Sequence, residues 1–148
     1  MLRFERASER WWNKPLVSLS ERILPAELAV LEAELAPGES GAWMNSRGTA
    51  TGAIDLIVTG TRPAFKTRRI GLPEFVSSVL RDIYKQANLK WGCADLVIWN
   101  TAAHEMRLVE VRGPHGDKPS REQRIFLQVA EEMGIESSVV EWEFSPLP

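Results

Sequence analysis

The stretch "ADLVIWNTAAHEMRLVEVRGP", Ala94 to Pro114, constrains this chain more than any other. Two apolar runs, each the length of one strand, flank the turn-like "NTAAHE", and Gly113-Pro114 ends the second run. So short a connection favours an antiparallel hairpin. The first strand runs away from Asp95 and the second returns toward Glu110, so folding brings both acids to one end. On a shared face they lie about 4–6 Å apart. Two ionised carboxylates about 4 Å apart repel by about 4 kcal/mol at a typical effective dielectric. Protonation of one acid, an intervening basic side chain, or a divalent cation bound to both relieves that repulsion. Carboxylates, a backbone carbonyl and water form an oxygen ligand set suited to magnesium or manganese. Arg112 lies two residues beyond Glu110, so the strand period puts it on the same face. There a cation can hold a phosphate oxygen or orient an attacking water. Acids, metal and cation together fit phosphodiester hydrolysis. The competing reading is plain strand-end charge, with the Glu-x-Arg pair closed as an internal salt bridge.

The remaining elements follow from periodicity. Leu24, Leu28, Leu31 and Leu35 predict a helix over 24–35, with Pro25 in its first turn and Pro37-Gly38 as its stop. "GESGAWMNSRGTATG" reads as a loop, "AIDLIVT" at 53–59 as a strand, and "GTRPAFKTRRIGLP" as a second loop. Leu72-Pro73 opens another helix, carrying Phe75, Val76, Val79, Leu80 and Ile83 and decaying near Asn88. The hairpin strands are expected at 95–99 and 106–112, the second covered on both faces. Ser120 and Gln123 form an S-x-x-Q capping box for a helix over 120–133, and Gly134 stops it. "SVVEWEF" at 138–144 is a last strand, which the crossover helix allows to run parallel to its predecessor. This order predicts an α/β chain with a mixed β-sheet flanked by helices. "GAIDLIV" at 52–58 echoes "GCADLVI" at 92–98, a likeness that two strands with similar needs produce by chance.

At 148 residues the chain reads as a single domain, 1–148. It has no run of 18 apolar residues, and its N-terminus has no apolar core of signal-peptide length. The expectation is a cytoplasmic protein with no membrane partner. One cysteine, Cys93, excludes an intrachain disulfide and a multi-cysteine zinc site. A net charge of −2 shows no global basicity, although a local patch suffices for nucleic acid.

"GCADLVIWN", "LVEVRGP", "KPSREQRIFLQVAEEMGI" and "VVEWEF", in this order and spacing, resemble the VRR-type nuclease domain of the PD-(D/E)xK superfamily. The likeness divides the chain into a weakly matched part, 1–72, and a nuclease-like core, 73–145. It implies a restriction-endonuclease-like fold and a magnesium- or manganese-dependent nuclease acting on branched or structured DNA. It implies DNA as partner and is compatible with a homodimer. Carried over, Asp95 and Glu110 are metal ligands and Val111 offers its backbone carbonyl. Arg112 stands at the motif lysine, and Gln123 matches the glutamine of the following helix. Ala94 replaces the motif proline. Arginine for lysine at 112 is the larger departure, because arginine stays protonated and cannot accept a proton. The alternative implied is a catalytically impaired module of this fold that binds DNA or a protein. A third acid is expected from an N-terminal helix. Glu21, Glu27, Glu32 and Glu74 are candidates, Glu32 lying closer to the leucine face than Glu27.

Other residues have two readings each. Gln123 is also the capping partner of Ser120. Arg62, Lys66, Arg68 and Arg69, with Lys118, Arg121 and Arg124, form either a DNA-backbone surface or ordinary solvated charge. His115 reads as solvated beside the site, Asp55 as structural, and Cys93 as a packed residue. Trp11-Trp12 reads as an anchor. Among the six tryptophans, Trp91, Trp99 and Trp142 are expected to pack, and Trp43 is the less constrained candidate for a base contact.

Overall fold

The computed structural model describes residues 1–7, 15–44, 53–59, 64–68, 71–114 and 118–146, with strands 53–59 and 64–68 described through their backbone. The hairpin is present: β7 (Leu96–Asn100) pairs antiparallel with β8 (Glu105–Arg112), in a register that sets Leu96 opposite Val109. β9 (Glu136–Phe144) then runs parallel to β8, as the crossover through α3 (Arg121–Glu132) requires. The helix at 24–35 begins later than its leucine spacing suggests. α1 is Ala26–Glu34, and Leu24 belongs to a strand, β3 (Arg22–Pro25). α2 is Glu74–Ala87, closed by Asn88 in the left-handed region at φ 54°.

The described sheet has nine strands in the order β3-β2-β1-β9-β8-β7-β4-β5-β6, where β1 is Leu2–Arg6, β2 Leu16–Leu19, β4 Ser40–Met44, β5 Ala53–Thr59 and β6 Ala64–Arg68. It is mixed and flanked by helices, the α/β architecture expected. Two segments read as loops are strands. β4 lies inside the sheet between β7 and β5, and β6 pairs with β5. The glycine in "SGAWM" misleads as a loop signal. A Cβ at Gly41 would meet Leu31 Cδ1 at 2.5 Å, so the missing side chain leaves room for the Leu31 side chain of α1 over β4.

Alternation along the central strands feeds two cores. Leu96, Ile98, Val109 and Val111 join Val30, Leu31, Trp43 and Trp142 on the α1 side. Val97, Trp99 and Leu108 join Leu80, Ile83 and Phe126 on the side of α2 and α3. Strands covered on both faces need apolar residues at every position, which explains the near-continuous "LVIW" and "LV" runs. No helix among the described residues is long and apolar enough to cross a membrane.

Candidate active site

The register of the hairpin, continued by one residue, sets Asp95 opposite Glu110. Asp95 precedes β7 rather than opening it, yet it extends the ladder on both sides. Its carbonyl accepts from the Met44 N–H at 2.8 Å, and its Oδ2 accepts from the Val111 N–H at 2.8 Å. A carboxylate here replaces a backbone acceptor at the strand end, which answers why an acid sits there. Ala94, in place of the motif proline, is fully buried in the core under α2 and α3.

Glu110 is the anomaly. It is 4% exposed, and its Oε2 is buried without a hydrogen-bond partner among the described residues. Burial, then the charge of Asp95 and a hydrogen bond with it, then the charge of Glu27, push its carboxyl up to about 8, while Arg112 pulls the other way. Cys93 is buried beside the same pair, and burial followed by the charge of Asp95 raises its thiol. It is packed as expected, with its backbone N–H donating to the Tyr84 hydroxyl at 3.0 Å.

Arg112 is exposed at the end of β8 and closes no ion pair with an acid among the described residues. The internal Glu-x-Arg salt bridge of the alternative reading is therefore not formed. Val111 turns its side chain into the α1-side core. Gly113 sits against Trp142, where a Cβ would come within 3.1 Å of the indole. Gln123 completes the capping box: its N–H donates to Ser120 Oγ at 3.1 Å and its Oε1 accepts from Ser120 N–H at 3.0 Å. That leaves its amide NH2 for another acceptor.

The acid nearest in effect to the pair is Glu27, not Glu32. At about 100° per residue, a helix buried along Ala26, Ala29, Val30 and Leu31 carries position 27 between Val30 and Leu31. Position 32 falls on the far side. Glu27 accepts from the Trp43 indole N–H and is half-buried. Glu32 is exposed and paired with Arg22, and Glu74 is exposed and paired with Arg81. Glu21 is exposed on the β2–β3 turn at φ 65°. No group of three His, Cys, Asp or Glu side chains among the described residues is already arranged as a ligand cluster.

Two tryptophan expectations reverse. Trp43 is 4% exposed in β4, part of the core rather than a free loop residue. Trp91 is 39% exposed. Trp99 and Trp142 are buried as expected. Lys118, Arg121 and Arg124 are exposed around the start of α3. Lys66 and Arg68 lie on β6, where Arg68 is the register partner of Asp55. Arg62, Arg69, His115 and Trp11-Trp12 lie outside the described residues.

Comparison with known proteins bears on the family and the fold. The chain is 29% identical over 139 residues to Fanconi-associated nuclease 1 of Mus musculus, covering 84% of this chain and 13% of that protein. It is 36% identical over 66 residues to Fanconi-associated nuclease 1 of Danio rerio, covering 44% of this chain and 7% of that protein. It thus spans only about a tenth of the length of these curated relatives. The crystal structure of paFAN1 bound to 2-nt 5′-flap DNA with a gap superposes with a TM-score of 0.57 at 14% identity, covering 97% of this chain and 40% of that one; this likeness is one of fold. The VRR-NUC domain profile matches residues 44–142, about two thirds of the sequence and all of the hairpin. The chain therefore belongs to the VRR-NUC domain family.

Proposed function

We propose that this chain is a metal-dependent nuclease that hydrolyses phosphodiester bonds in DNA, preferring branched or structured substrates. The observation that carries the reading is the Glu110 carboxyl. It is buried opposite Asp95, raised to about 8, and left with one oxygen unpartnered among the described residues. An unsatisfied buried acceptor costs about 1–3 kcal/mol. A site that holds one beside a second acid fits a hard dication, whose charge would favour the ionised form of Glu110 and occupy the idle oxygen. Asp95 and Glu110 are the side chains that would hold magnesium or manganese, with the Val111 carbonyl as third donor and Glu27 adding negative charge. When bound, such an ion lowers the pKa of water and neutralises charge on the phosphate.

The chain's own residues supply the rest. The Val111 N–H fixes the rotamer of Asp95. Arg112, exposed and with no ion pair among the described residues, holds a non-bridging phosphate oxygen through its planar donors. It stays protonated, so its part is charge stabilisation and not proton abstraction. Gln123 offers its remaining amide donor from the first turn of α3. Membership in the VRR-NUC family and the similarity to Fanconi-associated nuclease 1 support DNA as the substrate.

The test is cleavage of flaps, junctions and single strands with magnesium and with manganese. We expect metal-dependent cutting that is strongest on flapped or branched DNA and absent in Asp95→Ala. Cutting by Asp95→Ala at the parent rate sinks the site assignment. Absence of cutting on every substrate, with no heat of manganese binding by calorimetry, favours the impaired module.

A further inference from the structure

We infer that Trp91 is a stacking platform for an unpaired base of the DNA substrate, seated beside the acid pair. The inference rests on the nuclease reading and adds a contact to it. Trp91 is one of three large apolar side chains exposed among the described residues, with Met1 and Val139. An indole left 39% exposed forgoes burial that elsewhere in this chain claims Trp43, Trp99 and Trp142.

The position of Trp91 is built. Gly92, the next residue, has φ +115° and lies so close to α3 that a Cβ would come within 2.8 Å of the Glu122 backbone. Only glycine fits both that conformation and that approach. The contact fixes the chain just before Asp95 against the first turn of α3, one residue beyond Trp91 and one residue beyond Arg121. Four residues separate Trp91 from Asp95, so the backbone span is at most about 14 Å. That is about four nucleotide steps along a strand.

Charge near the start of α3, which the residue after Trp91 touches, points to nucleic acid rather than to a protein. Lys90 precedes Trp91 in sequence, and Lys118, Arg121 and Arg124 surround the α3 start; all four are exposed. Among the described residues from 118 to 124 the acid is Glu122, 3.8 Å from the Arg121 guanidinium. Basic groups track a phosphate backbone, and an aromatic face among them accepts a base of any identity. The ligand is therefore an unstacked base next to the scissile phosphate, such as one at the foot of a flap.

The experiment uses the full chain and a flapped duplex carrying 2-aminopurine at successive unpaired positions, read in EDTA so that nothing is cut. We expect quenching at one position within about four nucleotides of the branch. Trp91→Ala should lose the quenching and bind about tenfold more weakly, and Trp91→Phe should restore part of both. An unchanged melting temperature in each variant separates this from misfolding. Quenching and affinity equal to the parent in Trp91→Ala overturn the inference, as does the absence of quenching at every position in the parent. Cleavage is read separately with manganese. Cutting without Trp91-dependent stacking removes only this inference, whereas stacking without cutting removes only the nuclease reading.

Discussion

The two ends of the β7–β8 hairpin bury charge in opposite ways. Near the turn, Arg107 is 19% exposed at its side chain and fully engaged. Its Nη2 donates to Glu39 Oε1 at 2.9 Å and to the Glu34 carbonyl at 2.8 Å, and its Nε donates to Glu39 Oε2 at 3.2 Å. The hydrogen bond with Arg107 holds the Glu39 carboxyl below its ordinary range, and the same bond raises the guanidinium. At the open end, Glu110 is more deeply buried and lacks a cation in contact among the described residues. Its carboxyl shifts up rather than down. A charge buried for stability arrives with its partners, as Arg107 does; in the function proposed above, Glu110 instead keeps a place for a metal ion.

The largest expected effect is on activity. Asp95→Ala and Glu110→Gln should each reduce metal-dependent cleavage by roughly a thousandfold or more, since metal and charge stabilisation are lost together. Single-turnover assays with manganese check this. Arg107→Met should leave the proposed metal site untouched, so its rate per folded molecule should stay near that of the parent.

Stability should sort the same variants in reverse. Arg107→Met strands Glu39 and Glu34 and should cost about 2–3 kcal/mol in urea denaturation, discounted from the figure for fully buried pairs because Arg107 is partly solvated. Glu110→Gln should be neutral or stabilising without metal, because it removes a group that is costly to ionise. A loss of 2 kcal/mol or more from Glu110→Gln would erase the contrast between the two ends.

The pH dependences should also oppose. Glu110 binds its proton more tightly folded than unfolded, so its contribution is full below about pH 4.5. It is lost as pH rises toward about 8. Without metal, the parent should therefore lose stability across that window, and Glu110→Gln should flatten the decline. Glu39 behaves conversely: its contribution is present above the ordinary carboxylate pKa and lost as pH falls through its lowered value. Arg107→Met should remove that acid-side loss. Melting temperatures from pH 3 to 9, in EDTA, read both. The smallest effect belongs to Gln123→Ala, which breaks the capping box and should cost about 0.5–1 kcal/mol. A loss of cleavage far beyond that cost would show that the amide acts at the phosphate as well.

Legibility followed sequence separation. The hairpin, the parallel return of β9, both later helices and the Ser120–Gln123 box were readable because each depends on neighbours within one turn or one connection. The acid whose charge reaches the pair was not. Choosing Glu27 over Glu32 needs the buried arc of α1, and that arc follows from what α1 packs on, not from its leucines. β4 was hidden for a related reason: Gly41 signals a loop locally but makes room for the Leu31 side chain of α1, a contact that local pattern cannot see. Trp91 and Trp43 exchanged roles because exposure is settled by what other segments cover.

The sequence by itself determined that Asp95 and Glu110 meet, since a period of two and a short turn leave antiparallel strands little choice. It also determined that Arg112 follows on the same face. Only the tertiary structure decided that Glu110 would be buried with an oxygen to spare, that Arg112 would stay out of an ion pair among the described residues, and that Glu27 would add its charge. Burial and electrostatic environment are sums over distant segments, and no local pattern contains them.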